Sequence, residues 1–285
     1  MVDDSFSLRA RVRRRIVGQV QDLFHDRELG EKPVARSDNA LFPAGSIIWR
    51  VHGDVTTMMI GGVSALLLQM LHPAVLAGVW DHSNFRTDMV GRLRRTARFI
   101  GVTTFGDRKH ALESIARVRK LHDHVAGTLL DGTDYEANDP RLLAWVHVTE
   151  AWSFLNAWQR YGDCRLSVSE EDEYFREFAT LALALGAKRV PTTRADTAGA
   201  LESGRHALCV DDRTREVARR VIGHMPDNPL AVPLQRVTMR AAIDLLPAWA
   251  RRMHRLAASP PPMSQLVKTG ALGLATTLRW AFAAR

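Results

Sequence analysis

Val55-Thr56-Thr57-Met58-Met59-Ile60-Gly61-Gly62-Val63-Ser64-Ala65-Leu66-Leu67-Leu68-Gln69-Met70-Leu71 runs for 17 residues without a charge, and apolar character resumes beyond His72-Pro73 as far as Trp80. A bilayer-spanning helix needs about 20 consecutive apolar residues. Gly61-Gly62, His72 and Pro73 interrupt the run before that length is reached. It therefore reads as a helix buried at the centre of a water-facing domain, and its neighbours should be the elements that cover it.

Those neighbours read as helices almost throughout, with strand signals nearly absent, so the fold class is all-α. A basic amphipathic helix is expected over 6–28, then a connection carrying Pro33, Pro43 and Gly45. His72-Pro73 starts a short helix to about Val79, and another runs from Asp88 to Ile100. Asp107 caps a helix over 109–126 that Gly127 ends. Asp139-Pro140 places an N-cap before proline at the first helical position, leading an aromatic-rich helix to Gly162. Ser167 with Glu170 forms a capping-box pattern for the helix to Leu185, closed by Gly186. Residues 187–213 read as a long connection with turn character. Helical segments follow at Arg215–His224, Leu234–Leu246 and Trp249–Ala257, and Ser259-Pro260-Pro261-Pro262 sets off a terminal amphipathic helix. The organisation is one large helical domain over 40–257, a basic helical arm over 1–39 and an amphipathic tail over 258–285. No internal repeat stands out.

At 285 residues and 46% hydrophobic content, the chain can bury a large core. Its formal charge is +8, and Arg9, Arg11, Arg13, Arg14 and Arg15 form the one compact basic run. Aromatics are not interleaved with those arginines and no reading motif is present, so nucleic acid is not an expected partner. An anionic membrane surface or an acidic cofactor is compatible with the charge. Cys164 and Cys209 lie 45 positions apart without a CxxC, which excludes a thiolate cage and a covalent c-type haem. Their usage suits a reducing cytoplasm, and Asp3, Asp4 and the arginines after them do not read as a signal peptide.

The chemistry-bearing signal is Arg117-Val118-Arg119-Lys120-Leu121-His122-Asp123-His124. At helical spacing His122 shares an apolar stripe with Val118, Ile115 and Ala111, whereas His124 aligns with Lys120, Arg117 and Glu113 on a solvated face. A neutral imidazole in an apolar wall serves either as a core histidine bonded to a carbonyl or as a metal ligand. Arg92 and Thr96 are four apart on a second helix, on a face with Met89, and form a polar pair suited to gripping a carboxylate. The alternative is an arginine snorkelling to the surface. His72, His82 and His147 border apolar surface. Glu170-Glu171-Asp172-Glu173 is explained by the helix macrodipole without a metal. Glycine-rich phosphate loops, GxSxG elbows and HExxH helices are missing from the sequence.

Several segments follow one another in an order that resembles a known family: Pro43-Ala44-Gly45-Ser46-Ile47-Ile48-Trp49-Arg50, Gln69-Met70-Leu71-His72-Pro73-Ala74-Val75-Leu76-Ala77-Gly78-Val79, Asp81-His82-Ser83-Asn84-Phe85, Arg92-Leu93-Arg94-Arg95-Thr96, Leu121-His122-Asp123-His124-Val125-Ala126-Gly127 and Trp145-Val146-His147. Across roughly residues 40–250 the chain is similar to the mpaB-type oxygenases and, more distantly, to the latex clearing protein rubber oxygenases.

This resemblance implies a globin-like helical core around a non-covalent haem b, with His122 as the axial ligand of the iron. It implies that Arg92, Arg95 and Thr96 lie near the cofactor, and that His72 or His147 acts as an acid or base. Two departures from the rubber-cleaving members are visible. Arg95 stands where they carry a lysine able to reach the iron, and a guanidinium is a poor ligand. Their catalytic glutamate has no counterpart near Leu76, which argues against polyisoprene. The expected activity is oxygenation of an apolar small molecule with O2 or peroxide. A non-catalytic helical protein that binds haem or lipid for storage or sensing is the alternative. Peripheral membrane contact through the tail and a homodimer are further expectations.

Overall fold

The computed structural model describes residues 8–24, 32–226, 228 and 231–283. Among them the chain forms thirteen α-helices, one short 3-10 turn and one two-stranded ribbon. The order is α1 (Leu8–Phe24), α2 (Ile47–His52), α3 (Val55–Gln69), α4 (Pro73–His82), α5 (Met89–Phe105), α6 (Arg108–His122), β1 (Ala126–Thr128), β2 (Asp134–Glu136), α7 (Pro140–Tyr161), α8 (Val168–Leu185), α9 (Arg194–Ser203), α10 (Asp212–Gly223), α11 (Val232–Leu245), α12 (Ala248–His254) and α13 (Pro261–Phe282).

The uncharged run becomes α3, and it is central. Asp54 caps it by accepting from the Thr57 amide at 2.8 Å, and Ile60, Leu67 and Leu68 are fully buried. Its main partner is α7, with α11 and α13 covering other sides. Small residues set that approach, since a Cβ on Gly61 would lie 2.8 Å from the Phe154 ring and 3.0 Å from the Ser153 carbonyl oxygen. The chain turns by 104° between α3 and α4 at His72. No single helix among the described residues is long and apolar enough to cross a membrane.

The predicted signals at α7 and α8 are present as hydrogen bonds. Asp139 accepts from the Arg141 amide with Pro140 at the first helical position, and Ser167 and Glu170 satisfy each other's backbone amides. Gly186 then ends α8 at φ 109°, a left-handed conformation glycine adopts without strain.

Three expectations change. The six-residue α2 is too short to carry a periodic pattern. The 187–213 connection contains α9 and the 3-10 turn Gly204–Ala207. The α6 helix stops at His122 rather than 126, and the chain enters the β1–β2 ribbon, where Gly127 lies against Tyr135 with no room for a Cβ. The ends of the expected 6–28 helix beyond Leu8–Phe24 lie outside the described residues. The tail is docked on the domain: α13 packs on α11, α3, α7 and α1, burying Val267, Ala271, Ala275, Leu278 and Ala281.

Candidate functional site

The α5 and α6 helices follow one another across Gly106-Asp107 and pack on each other. Arg92 lies in the first turn of α5 and His122 at the last residue of α6. The stripe predicted for α6 is present: Ala111 and Ile115 are buried, Val118 and His122 half-buried, and His124 exposed. The His122 Nδ1 is buried, with the Asn138 side chain as its polar neighbour. Burial lowers its pKa, opposed by the Asn138 side chain and the Asp123 charge, so the ring is neutral and has a lone pair to offer near pH 7.

The turn before α7 links His122 to His72. Asn138 Nδ2 donates to Asp123 Oδ1 at 2.6 Å and to the Arg119 carbonyl at 3.1 Å, while the adjacent Asp139 acts on His72. His72 precedes Pro73 at the start of α4 with its ring centroid 6.2 Å from that of Trp145, and its Nδ1 is also buried without a partner. Burial lowers its pKa. His122 and His72 therefore flank one corner. On the α4 side Gly78 lets the chain just beyond His122 come close, since a Cβ there would lie 3.3 Å from Val125.

The α5 residues divide into two kinds. Arg92 is half-buried, burial lowers its pKa, and among the described residues no hydrogen bond or ion pair engages its guanidinium. Arg95 points elsewhere: it is exposed, and it bonds Asp88 Oδ2 at 3.1 Å and Asn84 Oδ1 at 2.9 Å. Thr96 is exposed and donates to the Arg92 carbonyl of its own helix at 3.2 Å. The expected inward Arg92–Thr96 pair is thus an inward Arg92 alone, because a helical threonine hydroxyl has the carbonyl one turn back as its nearest acceptor.

His147 lies deeper, in an aromatic chamber. It is 5% exposed, its ring is 4.8 Å from that of Phe178, and its Nε2 is buried without a partner. Burial holds its pKa at about 4. Beside it lies His52, a residue the sequence reading did not single out. Its Nδ1 is 2.9 Å from Thr104 Oγ1 and its Nε2 3.1 Å from the Tyr174 hydroxyl. Burial, reinforced by His147, lowers its pKa to about 3.

Glu150 was also missed. One turn after His147, its Oε1 accepts from Gln69 Nε2 at 3.4 Å, and burial raises its pKa to about 7. It has no ion-pair partner among the described residues. This carboxyl can hold or release a proton near neutrality, with Gln69 as its hydrogen-bond donor and the Tyr174 hydroxyl within range of its charge.

The acidic run at 170–173 is structural, as expected. Glu170 completes the cap of α8 and pairs with Arg50, and buried Glu171 binds Arg194 and Gln159. Among the described residues no three His, Cys, Asp or Glu side chains gather as a metal-binding group. A cleft of about 600 Å³ opens beside α10, lined by Arg86, Met89, Arg219, Arg220 and His224 among others, but His122, His72, His147 and Arg92 do not line it.

Set against known families, residues 49–280 match the profile described as ER-bound oxygenase mpaB/B'/rubber oxygenase, catalytic domain. The chain belongs to the mpaB/rubber oxygenase family. That span runs from α2 through most of α13 and contains His52, His72, Arg92, His122, His147 and Glu150. No curated protein and no solved structure matches the chain. Membership makes this a catalytic domain of oxygenase type.

Proposed function

We propose that this family member is a haem b-dependent oxygenase acting on an apolar small molecule with O2 or peroxide. The observation that carries the reading is His122, a half-buried imidazole at the end of α6 whose pKa burial lowers, on the helix that follows the one carrying Arg92, whose guanidinium has no hydrogen bond or ion pair among the described residues. One protein ligand suffices for iron held in a porphyrin, whereas a cage of side chains needs three or more.

The residues fit such a group. His122 would supply the axial nitrogen, and Arg92 would pair with a propionate or another anionic oxygen at the site, which would offset the desolvation of its guanidinium. Arg95 would not reach inward without giving up Asp88 and Asn84. The bound haem would supply the oxygen chemistry, and the protein the ligand, the apolar walls and the protons. His72 and His147 are candidate hydrogen-bonding groups, and Glu150 is the side chain whose protonation changes near neutral pH.

The test is an absorption spectrum after haem reconstitution, oxidised and then reduced with and without carbon monoxide, with haem quantified per chain. The expected result is a Soret band at about one haem per chain that His122→Ala abolishes while far-UV circular dichroism stays unchanged. Equal haem retention and an unchanged spectrum in the variant would remove His122 as the ligand. Oxygen uptake that depends on added apolar substrate distinguishes the oxygenase from a haem store or sensor.

A further inference from the structure

Several helices pair a surface arginine with an acid one turn away: Arg176 with Glu173, Arg205 with Glu202, Arg215 with Asp212, and both Arg219 and Arg220 with Glu216. Arg86, between α4 and α5, has no such acid. Among the described residues no ion pair or hydrogen bond engages its guanidinium, which rests 5.2 Å from the Trp80 ring centroid. It lines the cleft of about 600 Å³ beside α10 with Arg219, Arg220 and His224, next to the half-buried Met89 and Val90. Asp88, the acid in that wall, is already engaged: it caps α5 at the Gly91 amide and accepts from Arg95 and Asn84.

A second cleft, of about 370 Å³, lies along the other side of the same helix end. Arg215, Arg219 and His254 line it together with the apolar Ala218, Ile222 and Leu256. Its cations have partners, Arg215 in Asp212, Arg219 in Glu216, and His254 in the Leu67 carbonyl, 2.9 Å from Nε2. Arg219 and Gly223 are one turn apart, line both clefts and form the ridge between them. Gly223 leaves that ridge low, and a Cβ there would meet nothing within 4 Å. The two clefts therefore make one bent groove, with a cation lacking an acid at one end and an apolar wall at the other.

Volumes of this size suit small molecules. An inorganic anion would use Arg86 and leave the second cleft unfilled, whereas an uncharged chain would leave Arg86 bare. A carboxylate carrying an alkyl chain satisfies both ends, because guanidinium is the matched partner of a carboxylate and methylenes gain by covering apolar walls.

We propose that this groove binds an amphipathic carboxylate of the fatty-acid class, with its head on Arg86, Arg219 and Arg220 and its chain passing over Gly223 onto Ile222 and Leu256. None of His122, His72, His147 and Arg92 lines either cleft. The site is separate from the residues assigned to haem, and it does not depend on the oxygenase reading.

Isothermal titration of the full chain with dodecanoate, hexanoate and dodecanol tests this. The expected result is saturable binding of dodecanoate. Hexanoate should bind at least tenfold more weakly, since each buried methylene contributes about fourfold, and dodecanol about tenfold more weakly for want of a charge. Arg86→Gln should weaken dodecanoate about tenfold and leave dodecanol unchanged. Gly223→Leu should weaken dodecanoate and leave hexanoate unchanged, and because its side chain enters open space the unfolding temperature should hold. Circular dichroism should show both variants folded, and His122→Ala should bind dodecanoate as the parent does. Absence of saturable dodecanoate binding overturns the proposal, as does binding that neither groove variant changes. Binding lost in His122→Ala but kept in both groove variants overturns it by placing the chain in the interior. Hexanoate bound as tightly as dodecanoate overturns the alkyl-chain assignment and leaves an anion site only.

Discussion

Arg279 Nε lies 2.6 Å from Asp54 Oδ2, joining the last helix to the cap of the central one. The same guanidinium donates from Nη2 to the Tyr161 carbonyl at the end of α7, at 2.9 Å. The Asp54 side chain is only 5% exposed, so its charge has little water to fall back on. Breaking a buried pair from one side costs about 3–5 kcal/mol, and because Arg279 is partly exposed we expect Arg279→Met to cost about 2–3 kcal/mol after discounting for solvent screening. Chemical denaturation measures it, and Asp54→Asn in the same background should recover some of the loss. A loss under about 0.5 kcal/mol would mean that water serves Asp54 as well as the arginine does.

The α3–α7 crossing yields a paired prediction. A Cβ on Gly61 meets the Phe154 ring at 2.8 Å and backbone atoms of Phe154 and Ser153 at 3.0 Å, whereas one on Gly62 meets nothing closer than Phe154 Cε1 at 3.8 Å. Alanine gains about 1 kcal/mol over glycine in a helix interior, so Gly62→Ala should be neutral or stabilising. Gly61→Ala must push apart the packed backbones of α3 and α7 and should cost about 1–3 kcal/mol. Thermal unfolding of the two variants side by side checks the sign of each.

What could be read in the sequence were features carried by local rules. The uncharged run, the Asp139-Pro140 start, the Ser167–Glu170 box and the His122 stripe each follow from composition or periodicity within one element, and each is present. What could not be read depends on partners distant in sequence. Glu150 is unremarkable in Thr149-Glu150-Ala151 until Gln69 and the packed chamber close around it. His52 ends a helix too short to show a period, and its partners are 52 and 122 residues away. Thr96 shares a face with Arg92 by spacing, yet a hydrogen bond inside its own helix and its exposure leave it outside the buried cluster.

With haem bound as proposed, the two arginines of α5 should separate in a haem-release experiment. Arg92 has no partner among the described residues, while Arg95 is already engaged by Asp88 and Asn84. A hydrogen bond to a charged group contributes about 1.5–3 kcal/mol, so Arg92→Ala should release haem to a scavenging apoprotein about ten to a hundred times faster. Arg95→Ala should change release by less than about threefold, the size of a surface pair. Equal effects would place the propionates elsewhere.

The protonation of Glu150 is readable as stability. Its pKa is raised from the ordinary 4.5 to about 7 by burial, so between those values the folded chain holds a proton that the unfolded chain has lost. Stability from this group is therefore fully present below pH 4.5 and is lost as pH rises through 7. Glutamine keeps the shape and stays neutral. Glu150→Gln should match the parent near pH 5 and exceed it at pH 8, by up to about 3 kcal/mol at 1.36 kcal/mol per unit. His52 and His147 work in the opposite direction: their pKa values fall to about 3 and about 4, so both proteins lose stability as pH drops below 6.5. That loss is common to parent and variant and cancels in their difference. Denaturant unfolding of both proteins at pH 5 and pH 8 isolates the carboxyl. A constant difference at the two values would show that Glu150 is ionised in the folded chain throughout, with a cation or water serving it.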